Sequence, residues 1–304
     1  MRRSTAAAAA ALSLAVVGLA APAVQARQAP ERTVTVDKSV MGTRVSSHAS
    51  RQSSAQTISY HRGPVLTAST GVAAYYIWYG SWADSSKAII TDFGISLGGS
   101  PYFNINTTYY DGAGRKVVNK VTLAGQTVAP YTKGNALSDA QIQQIVGESI
   151  SSGSLPADPN GIYVVLTAPG ITETSGFLTQ YCGWHTHATL SGQDVKYAFV
   201  GDAAGPSLGN CAWQTTASPN GDPGADALVS VLAHEIEEAT TDPDLNAWYD
   251  RRGNENADKC AWTFGTTYSA AGGGIANMRL GSRDFLVQQN WKAGSSQGCA
   301  LSYP

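Results

Sequence analysis

The sequence is poor in charge. Asp, Glu, Lys and Arg make up 14% of its 304 residues, and the formal net charge is −2. It has no basic stripe of the kind that binds nucleic acid or an anionic membrane. Beyond the N-terminus, no segment approaches the roughly 18 to 20 consecutive apolar residues of a membrane-spanning helix. A Cys-x-x-Cys pair is also absent, which disfavours a Cys₄ metal site. We expect a mature chain with no nucleic-acid partner and no membrane contact.

The N-terminus has the three parts of a secretory signal. Arg2 and Arg3 are followed by an uncharged stretch rich in alanine and leucine at 6–20, and a small-x-small site ends at Ala26. This layout predicts a signal peptide at 1–26, with cleavage after Ala26. The expected location is therefore secreted and extracellular.

The next segment, 27–60, is polar, rich in Ser, Gln and Arg, and without sustained periodicity. This composition predicts a linker or pro-region. As a pro-region it would cover a cleft until it is removed. The folded domain is then expected at 61–304, starting near His61.

Four cysteines, Cys182, Cys211, Cys260 and Cys299, lie in the part of the chain that is predicted to be exported. An even number in an oxidising compartment favours disulfides, with three possible connectivities. We favour Cys182 with Cys211 and Cys260 with Cys299, since pairing of neighbours closes two short loops.

Strand and helix signals alternate along the chain. Short β-branched and aromatic runs predict strands at 63–67, 72–80, 162–166 and 195–200, and a hairpin at 104–110 and 116–122 about the turn 111–114. Three helices are predicted: from a cap at Ser85 or Ser86 to Leu97, from a Ser138–Gln141 capping box to about Ser152, and from Asp222-Pro223 to about Thr240. The expected fold class is α/β (or α+β), a mixed β-sheet with packed helices in a single disulfide-bonded globular domain.

The last predicted helix carries the string His234-Glu235-Ile-Glu237-Glu238. Residues four apart share a helix face, so His234 and Glu238 can bind one ion with Glu235 beside them. The string resembles the H-E-x-x-H signature of zinc metallopeptidases, in which the glutamate activates a metal-bound water. A zincin-like active-site helix is therefore possible, with Glu235 as general base and one divalent metal as cofactor. Zinc is the expected metal, although Glu238 in place of a second histidine also suits manganese, iron or calcium.

A third ligand is expected about twenty residues downstream. Asp258 has the closer spacing and Glu255 the more familiar Asn-Glu setting, so either could ligate while the other orients His234. We place Asp258 slightly ahead. In the alternative, Glu237 and Glu238 are solvated and His234 is an ordinary core histidine.

A second cluster follows Cys182. If this segment is extended, His185 and His187 share one face, and one of them could line the cleft and stabilise an oxyanion. We take His185 as a candidate catalytic residue, although a disulfide-anchored aromatic loop with polar histidines is the more ordinary interpretation. Several aromatic residues could form a carbohydrate platform or could be packing residues: Trp78, Tyr79, Trp82, Trp184 and Trp213.

Five longer strings carry a family resemblance: 61–67, 77–82, 181–185, 196–201 and 211–213. Over roughly 60–300 the sequence resembles the Exordium-type, phosphate-induced secreted proteins of plant cell walls, in a microbial branch that carries the H-E-x-x-E string. The resemblance implies an extracellular protein linked to growth and cell expansion.

Two functions remain open. One is a secreted metal-dependent hydrolase, peptidase-like, with a peptide as its partner. The other is a non-catalytic extracellular or cell-wall-associated protein, in which any metal is structural and the partner is a glycan such as cell-wall polysaccharide.

Overall fold

The computed structural model describes residues 1, 36–45 and 57–304. The predicted signal peptide, 1–26, and much of the predicted linker, 27–60, lie outside these residues. In chain order the strands are β1 (Ser39–Gly42), β2 (Ser59–Tyr60), β3 (Val72–Tyr79), β4 (Val121–Val128), β5 (Ala136–Leu137), β6 (Gly161–Thr167), β7 (Thr172–Glu173), β8 (Tyr181–Leu190), β9 (Gln193–Gly201), β10 (Trp248–Tyr249), β11 (Tyr268–Ser269), β12 (Ile275–Ala276), β13 (Met278–Leu280), β14 (Arg283–Phe285), β15 (Asn290–Lys292) and β16 (Gly298–Ala300). The helices with described bounds are α1 (Asp84–Ser96), α2 (Asp139–Ser151), α3 (Leu208–Cys211) and α4 (Pro223–Thr241), with 3₁₀ turns at Phe103–Thr108 and Asp258–Cys260.

A six-stranded mixed sheet organises the fold, in the order β1-β8-β9-β6-β3-β4. Strands β9, β6, β3 and β4 are parallel, whereas β8 is antiparallel to β9 and β1 is antiparallel to β8. The remaining strands form five two-stranded pairs. This confirms the predicted mixed sheet with packed helices.

The central strands are apolar on both faces because each face is covered, as expected for parallel strands. In β3, Tyr76 and Trp78 join the core with α1 and α4, whereas Tyr75, Ile77 and Tyr79 join the core with α2. The sheet is thus the middle layer, with α1 and α4 on one face and α2 on the other.

Two helices begin as predicted. At α2 the Ser138 hydroxyl accepts from the Gln141 N–H, and the Gln141 side chain accepts from the Ser138 N–H. At α4 the Asp222 carboxylate accepts from the Ala225 N–H, and Pro223 occupies the first turn. Each cap is local in sequence, so the sequence alone can predict it.

Other local predictions were wrong. Helix α1 starts at Asp84 after Ala83, without a side-chain cap, because the Ser86 hydroxyl donates to Asp222 instead. Residues 63–67 form no strand. The predicted hairpin is a 3₁₀ turn followed by β4, which pairs in parallel with β3. The turn at 111–114 is real, since the Asp111 carboxylate accepts from two backbone N–H groups, but only one bridge, Tyr110 to Lys116, flanks it.

The predicted start of the fold near His61 also needs correction, because β1 belongs to the sheet. Met41 is buried and joins the core, and the Lys38 ammonium donates to the Asp139 carboxylate at 2.7 Å. The four residues of β1 are too few to show periodicity within a polar segment.

Both favoured disulfides are confirmed: Cys182 bonds to Cys211, and Cys260 bonds to Cys299. The first joins β8 to α3, and the second joins the 3₁₀ turn at Asp258–Cys260 to β16. Within the described ranges, no helix has the length and apolar character to cross a membrane.

Candidate metal centre

Helix α4 lies against β8 and β9 and is buried along nearly its whole length. His234, Glu235, Glu237 and Glu238 each have no exposed surface. The alternative of solvated glutamates at this helix end was therefore wrong. An ionised carboxylate is costly to bury without a cation or donors, so each of these side chains requires a partner.

One group of possible metal ligands joins α4 to the 3₁₀ turn at Asp258–Cys260. His234 Nε2 lies 3.0 Å from Glu238 Oε1 and 3.5 Å from Asp258 Oδ1. The ligand atoms of these three residues lie within 4.8 Å of one another. Of the two acids proposed as third ligand, Asp258 is the one near His234.

A second group shares Glu238. His185 Nε2, from β8, lies 3.3 Å from Glu255 Oε1 and 3.6 Å from Glu238 Oε2. These three residues also present ligand atoms within 4.8 Å of one another. Glu255 therefore faces His185 and does not take the expected role of orienting His234.

The segment with both downstream acids is anchored at several points. The Asp258 N–H donates to Glu238 Oε1 at 3.0 Å, which ties the segment to α4. The Lys259 ammonium and the Asp250 carboxylate are buried as an ion pair at 3.0 Å. The disulfide from Cys260 fixes the end of the 3₁₀ turn. This anchoring holds Asp258 and Glu255 in place beside α4.

Glu235 lies where α4 approaches β8 most closely. A β-carbon built on Gly183 would be 2.9 Å from Glu235 Oε1, so only glycine leaves room for the carboxylate. Burial raises the pKa of Glu235 well above its usual range; the charge on His234 opposes this, and the charges on Glu238 and Asp258 add to it.

The two buried histidines have opposite pKa shifts. Burial lowers the pKa of His185 to about 4, although the nearby Glu238 charge opposes the shift. Burial also acts to lower the pKa of His234, but Glu238, Asp258 and Glu235 together raise it well above its usual range. Of these two imidazoles, His234 is therefore the one whose surroundings favour a bound proton or cation.

Several buried atoms here have no hydrogen-bond partner within the described part of the chain. They include His234 Nε2 and both carboxylate oxygens of Glu235. Nε2 is close to Glu238 Oε1, yet the two are not aligned as donor and acceptor. Buried polar atoms are normally paired, so an unpaired set of nitrogen and oxygen donors fits a divalent ion.

Two neighbours of the site carried no signal in the sequence. The side-chain amide of Gln288 contacts His234 Nδ1. The contact is made by Gln288 Nε2, while Gln288 Oε1 accepts from the Trp262 N–H, so the amide fixes the orientation of the His234 ring. Asn290 donates to Glu237 Oε2 at 2.5 Å, so Glu237 has a structural partner. Gln288 lies between β14 and β15 and Asn290 begins β15, so both are far from the motif in sequence.

Strand β1 covers the site from the outer edge of β8. Ser39 pairs with His185 and Met41 with Gly183, and the Ser39 hydroxyl lies 3.4 Å from Glu238 Oε2. The backbone N–H of Met41 is near enough to Glu235 to act against the rise in its pKa. A cavity of about 190 Å³ opens beside β1 and is lined in part by Ser39 and Glu255.

The predicted second cluster is a strand and not a loop. His185 and His187 lie on the face of β8 that α4 covers, but His187 contacts Asp194 and Asp244 instead of the site. In this group of His187, Asp194 and Asp244, the Lys196 ammonium lies 2.5 Å from the Asp194 carboxylate and supplies a positive charge.

The predicted carbohydrate platform was wrong for three of its members. Trp78, Tyr79 and Trp184 are buried in the two cores beside the sheet. Trp213 is 42% exposed, but its ring contacts the Arg44 guanidinium and Phe264. The aromatic residues serve mainly in packing.

The sequence is similar to one family of known proteins. The conserved region of phosphate-induced protein 1 matches residues 58–282. Protein EXORDIUM-like 3 of Arabidopsis thaliana is 33% identical over 270 residues, which cover 76% of this chain and 79% of that protein. Protein EXORDIUM-like 5 of the same plant is 31% identical over 274 residues, covering 76% and 74%. Protein PHOSPHATE-INDUCED 1 of Nicotiana tabacum is 28% identical over 221 residues, covering 64% and 67%. No solved structure matches the chain.

Proposed function

The chain belongs to the Exordium-like, phosphate-induced protein 1 family, and we propose that it is a secreted, metal-dependent hydrolase of the peptidase type. In this proposal His234, Glu238 and Asp258 hold one divalent ion, with zinc as the expected metal, and Glu235 is the general base. Helix α4 would then serve as a zincin-like active-site helix.

One observation carries the proposal: the buried His234 Nε2 lies 3.0 Å from a Glu238 oxygen and 3.5 Å from an Asp258 oxygen, beside the buried carboxyl group of Glu235. A structural ion pair would align its donor with its acceptor. One nitrogen and two oxygen donors on two rigid elements suit zinc or a harder divalent ion.

In this mechanism each residue has a separate task. The ion would polarise the scissile carbonyl and acidify a water molecule. Glu235, beside His234 in the next position of α4, would accept a proton from the attacking water and return it to the leaving amine. Gln288 orients His234 through Nδ1. Neutral His185 is the candidate to donate a hydrogen bond to the developing oxyanion through Nδ1–H, since its Nε2 faces Glu238 and Glu255.

Strand β1 supports a polypeptide as substrate. It is an extended segment that adds to the edge of β8 and passes directly over Glu235 and Glu238. Addition of a strand to a sheet edge is a common way to bind an extended peptide. In this proposal β1 occupies the position of a substrate, and 27–60 acts as a pro-region that closes the site.

Secretion is part of the same proposal. It is supported by the signal-like sequence at 1–26 and by the two disulfides, which form and persist mainly in oxidising compartments.

The test combines metal content with turnover. Elemental analysis should find a stoichiometric divalent metal in the wild type and less in His234→Ala. Cleavage of a mixed peptide library is then measured before and after the chain is cut at a protease site inserted within 46–56. The rate of cleavage should be at least about 100-fold lower in Glu235→Gln than in the wild type, while the metal stays bound. Glu237→Gln is the matched control, because the Glu237 carboxylate accepts from Asn290 and belongs to neither group of possible ligands.

Full activity in Glu235→Gln would contradict the role of Glu235. A second candidate function, a non-catalytic extracellular protein that binds glycan or a partner, is favoured by the covering of the site by β1. Bound metal without turnover in the cut chain, together with retention on cell-wall polysaccharide, would support that function.

A further inference from the structure

We propose that the site binds a second divalent cation, held by His185, Glu255 and the second oxygen of Glu238, so that the Glu238 carboxylate bridges two ions. This inference rests on the proposed function, because the first ion shares Glu238.

The orientation of Glu238 is the first argument. Its Oε1 lies 3.0 Å from His234 Nε2, and its Oε2 lies 3.6 Å from His185 Nε2. Each oxygen thus faces a different imidazole. A carboxylate that presents its two oxygens to two separate sets of ligands has the geometry of a bridge, and bridged ions are typically about 3.5–4 Å apart.

The spacing within the second group is the next argument. Ligand atoms about 2.1 Å from one tetrahedral ion lie about 3.4 Å apart. His185 Nε2 is 3.3 Å from Glu255 Oε1 and 3.6 Å from Glu238 Oε2. Both distances from His185 Nε2 are therefore those that a single ion would impose, and the ligand atoms of the set lie within 4.8 Å of one another.

An unpaired buried oxygen supplies an independent observation. Glu255 is 2% exposed, and its Oε2 has no hydrogen-bond partner among the described residues. His185 beside it has no exposed surface. A carboxylate that served only to accept from His185 would not leave its second oxygen unpaired in the interior.

The number of acidic groups also favours a second ion. Four carboxyl groups gather around the two imidazoles: Glu235, Glu238, Glu255 and Asp258. A single ion between His234, Glu238 and Asp258 leaves Glu255 beside His185 without a cation, and buried charge is tolerated when it is paired.

One ligand of the second position borders a cavity. Glu255 lines the cavity of about 190 Å³ beside β1, together with Ser39, Asp242 and Tyr249. One imidazole with two carboxylates is a hard donor set, which suits manganese or zinc better than a soft ion.

The experiment is a Mn²⁺ titration of the metal-free full chain, followed by elemental analysis and electron paramagnetic resonance. The wild type should bind two Mn²⁺ with a spin-coupled spectrum. His185→Ala and Glu255→Gln should each bind one Mn²⁺ with an uncoupled spectrum, and His234→Ala should lose the other ion. Glu237→Gln should keep both ions and the coupling. Glu255→Gln conserves shape, so it tests the site even where His185→Ala fails to fold.

The outcomes separate this inference from the proposed function. One ion in the wild type, retained in Glu255→Gln and lost in His234→Ala, would overturn the second site and leave the first. Two ions that both persist in Glu255→Gln would also overturn it, because the second ion would then bind elsewhere. No ion in any variant would overturn both proposals.

Discussion

Substitution of Gly183 by alanine tests the close approach between β8 and α4 that positions Glu235. A β-carbon at this position would lie 2.5 Å from Val231 Cγ1, 2.9 Å from Glu235 Oε1 and 3.0 Å from the Phe199 carbonyl oxygen. Carbon atoms in contact are normally about 3.5–4.0 Å apart, so the overlap with Val231 is about 1 Å. The helix and strand must separate, or Val231 must change rotamer.

The expected cost follows from this overlap. Overpacking of a dense core by one methyl group usually destabilises by about 1–3 kcal/mol. We expect Gly183→Ala to lower the free energy of unfolding by this amount, as measured by urea unfolding followed by circular dichroism. In a Val231→Ala background the added methyl group should cost at least about 1 kcal/mol less, since the opposing methyl group is gone.

Gly147 in α2 is the matched control. A β-carbon there would meet only Leu190 Cδ1, at 4.0 Å. Alanine is favoured over glycine within a helix, so Gly147→Ala should stabilise the chain by about 0.5–1 kcal/mol. If Gly183→Ala left the stability unchanged, or if both substitutions destabilised equally, the tight packing at Glu235 would be refuted.

Three further predictions concern other parts of the molecule. Burial raises the pKa of Asp202 to about 6; the Ala204 N–H opposes this shift and the charge on Asp222 adds to it. The folded chain therefore binds the proton more tightly than the unfolded chain. As a result, the ionised Asp202 lowers the free energy of unfolding above about pH 6 and has no effect below about pH 4. Asp202→Asn should raise the free energy of unfolding at pH 7 by up to about 3 kcal/mol, with no gain at pH 3.5. Replacement of Cys260 and Cys299 by serine opens a loop with a sequence separation of 39 and should cost about 4 kcal/mol in denaturant unfolding, and metal affinity should fall with it. Cutting the chain at a protease site inserted within 46–56 should speed the uptake of Mn²⁺, because β1 can then leave β8; an unchanged rate of uptake would argue against β1 as a cover.

Local features of the fold could be predicted from the sequence, whereas long-range pairings could not. The capping box at Ser138 and the start of α4 at Asp222 depend on residues within four positions, and both are as predicted. Strand β4 could not be predicted because its partner β3 lies some fifty residues earlier. Strand β1 is held by β8, more than 140 residues away, and its own four residues carry too little signal.

The same distinction applies to the site. His234 and Glu238 are one helical turn apart, so their proximity follows from the sequence. The contact between His185 and Glu238 depends on how β8 packs against α4. The alternation of side chains in a strand predicts which residues share a face with His185, but not which helix covers that face. Gln288 was not predictable at all, because a single glutamine in a C-terminal segment has no pattern that links it to a histidine 54 positions earlier.

The position of β1 also bears on how separate molecules behave toward one another. Without β1, the backbone of β8 from Tyr181 to His185 would become the outer border of the main sheet. A border strand with unpaired N–H and C=O groups is a template on which another chain can add. Release of β1 would therefore expose the site and also an edge of β8 that can pair with another strand. That strand would be an extended substrate or β1 of a second copy. An uncut chain should therefore dimerise by exchange of β1 as its concentration rises, because each β1 stays joined to its own copy, whereas a chain cut between β1 and β2 should stay monomeric.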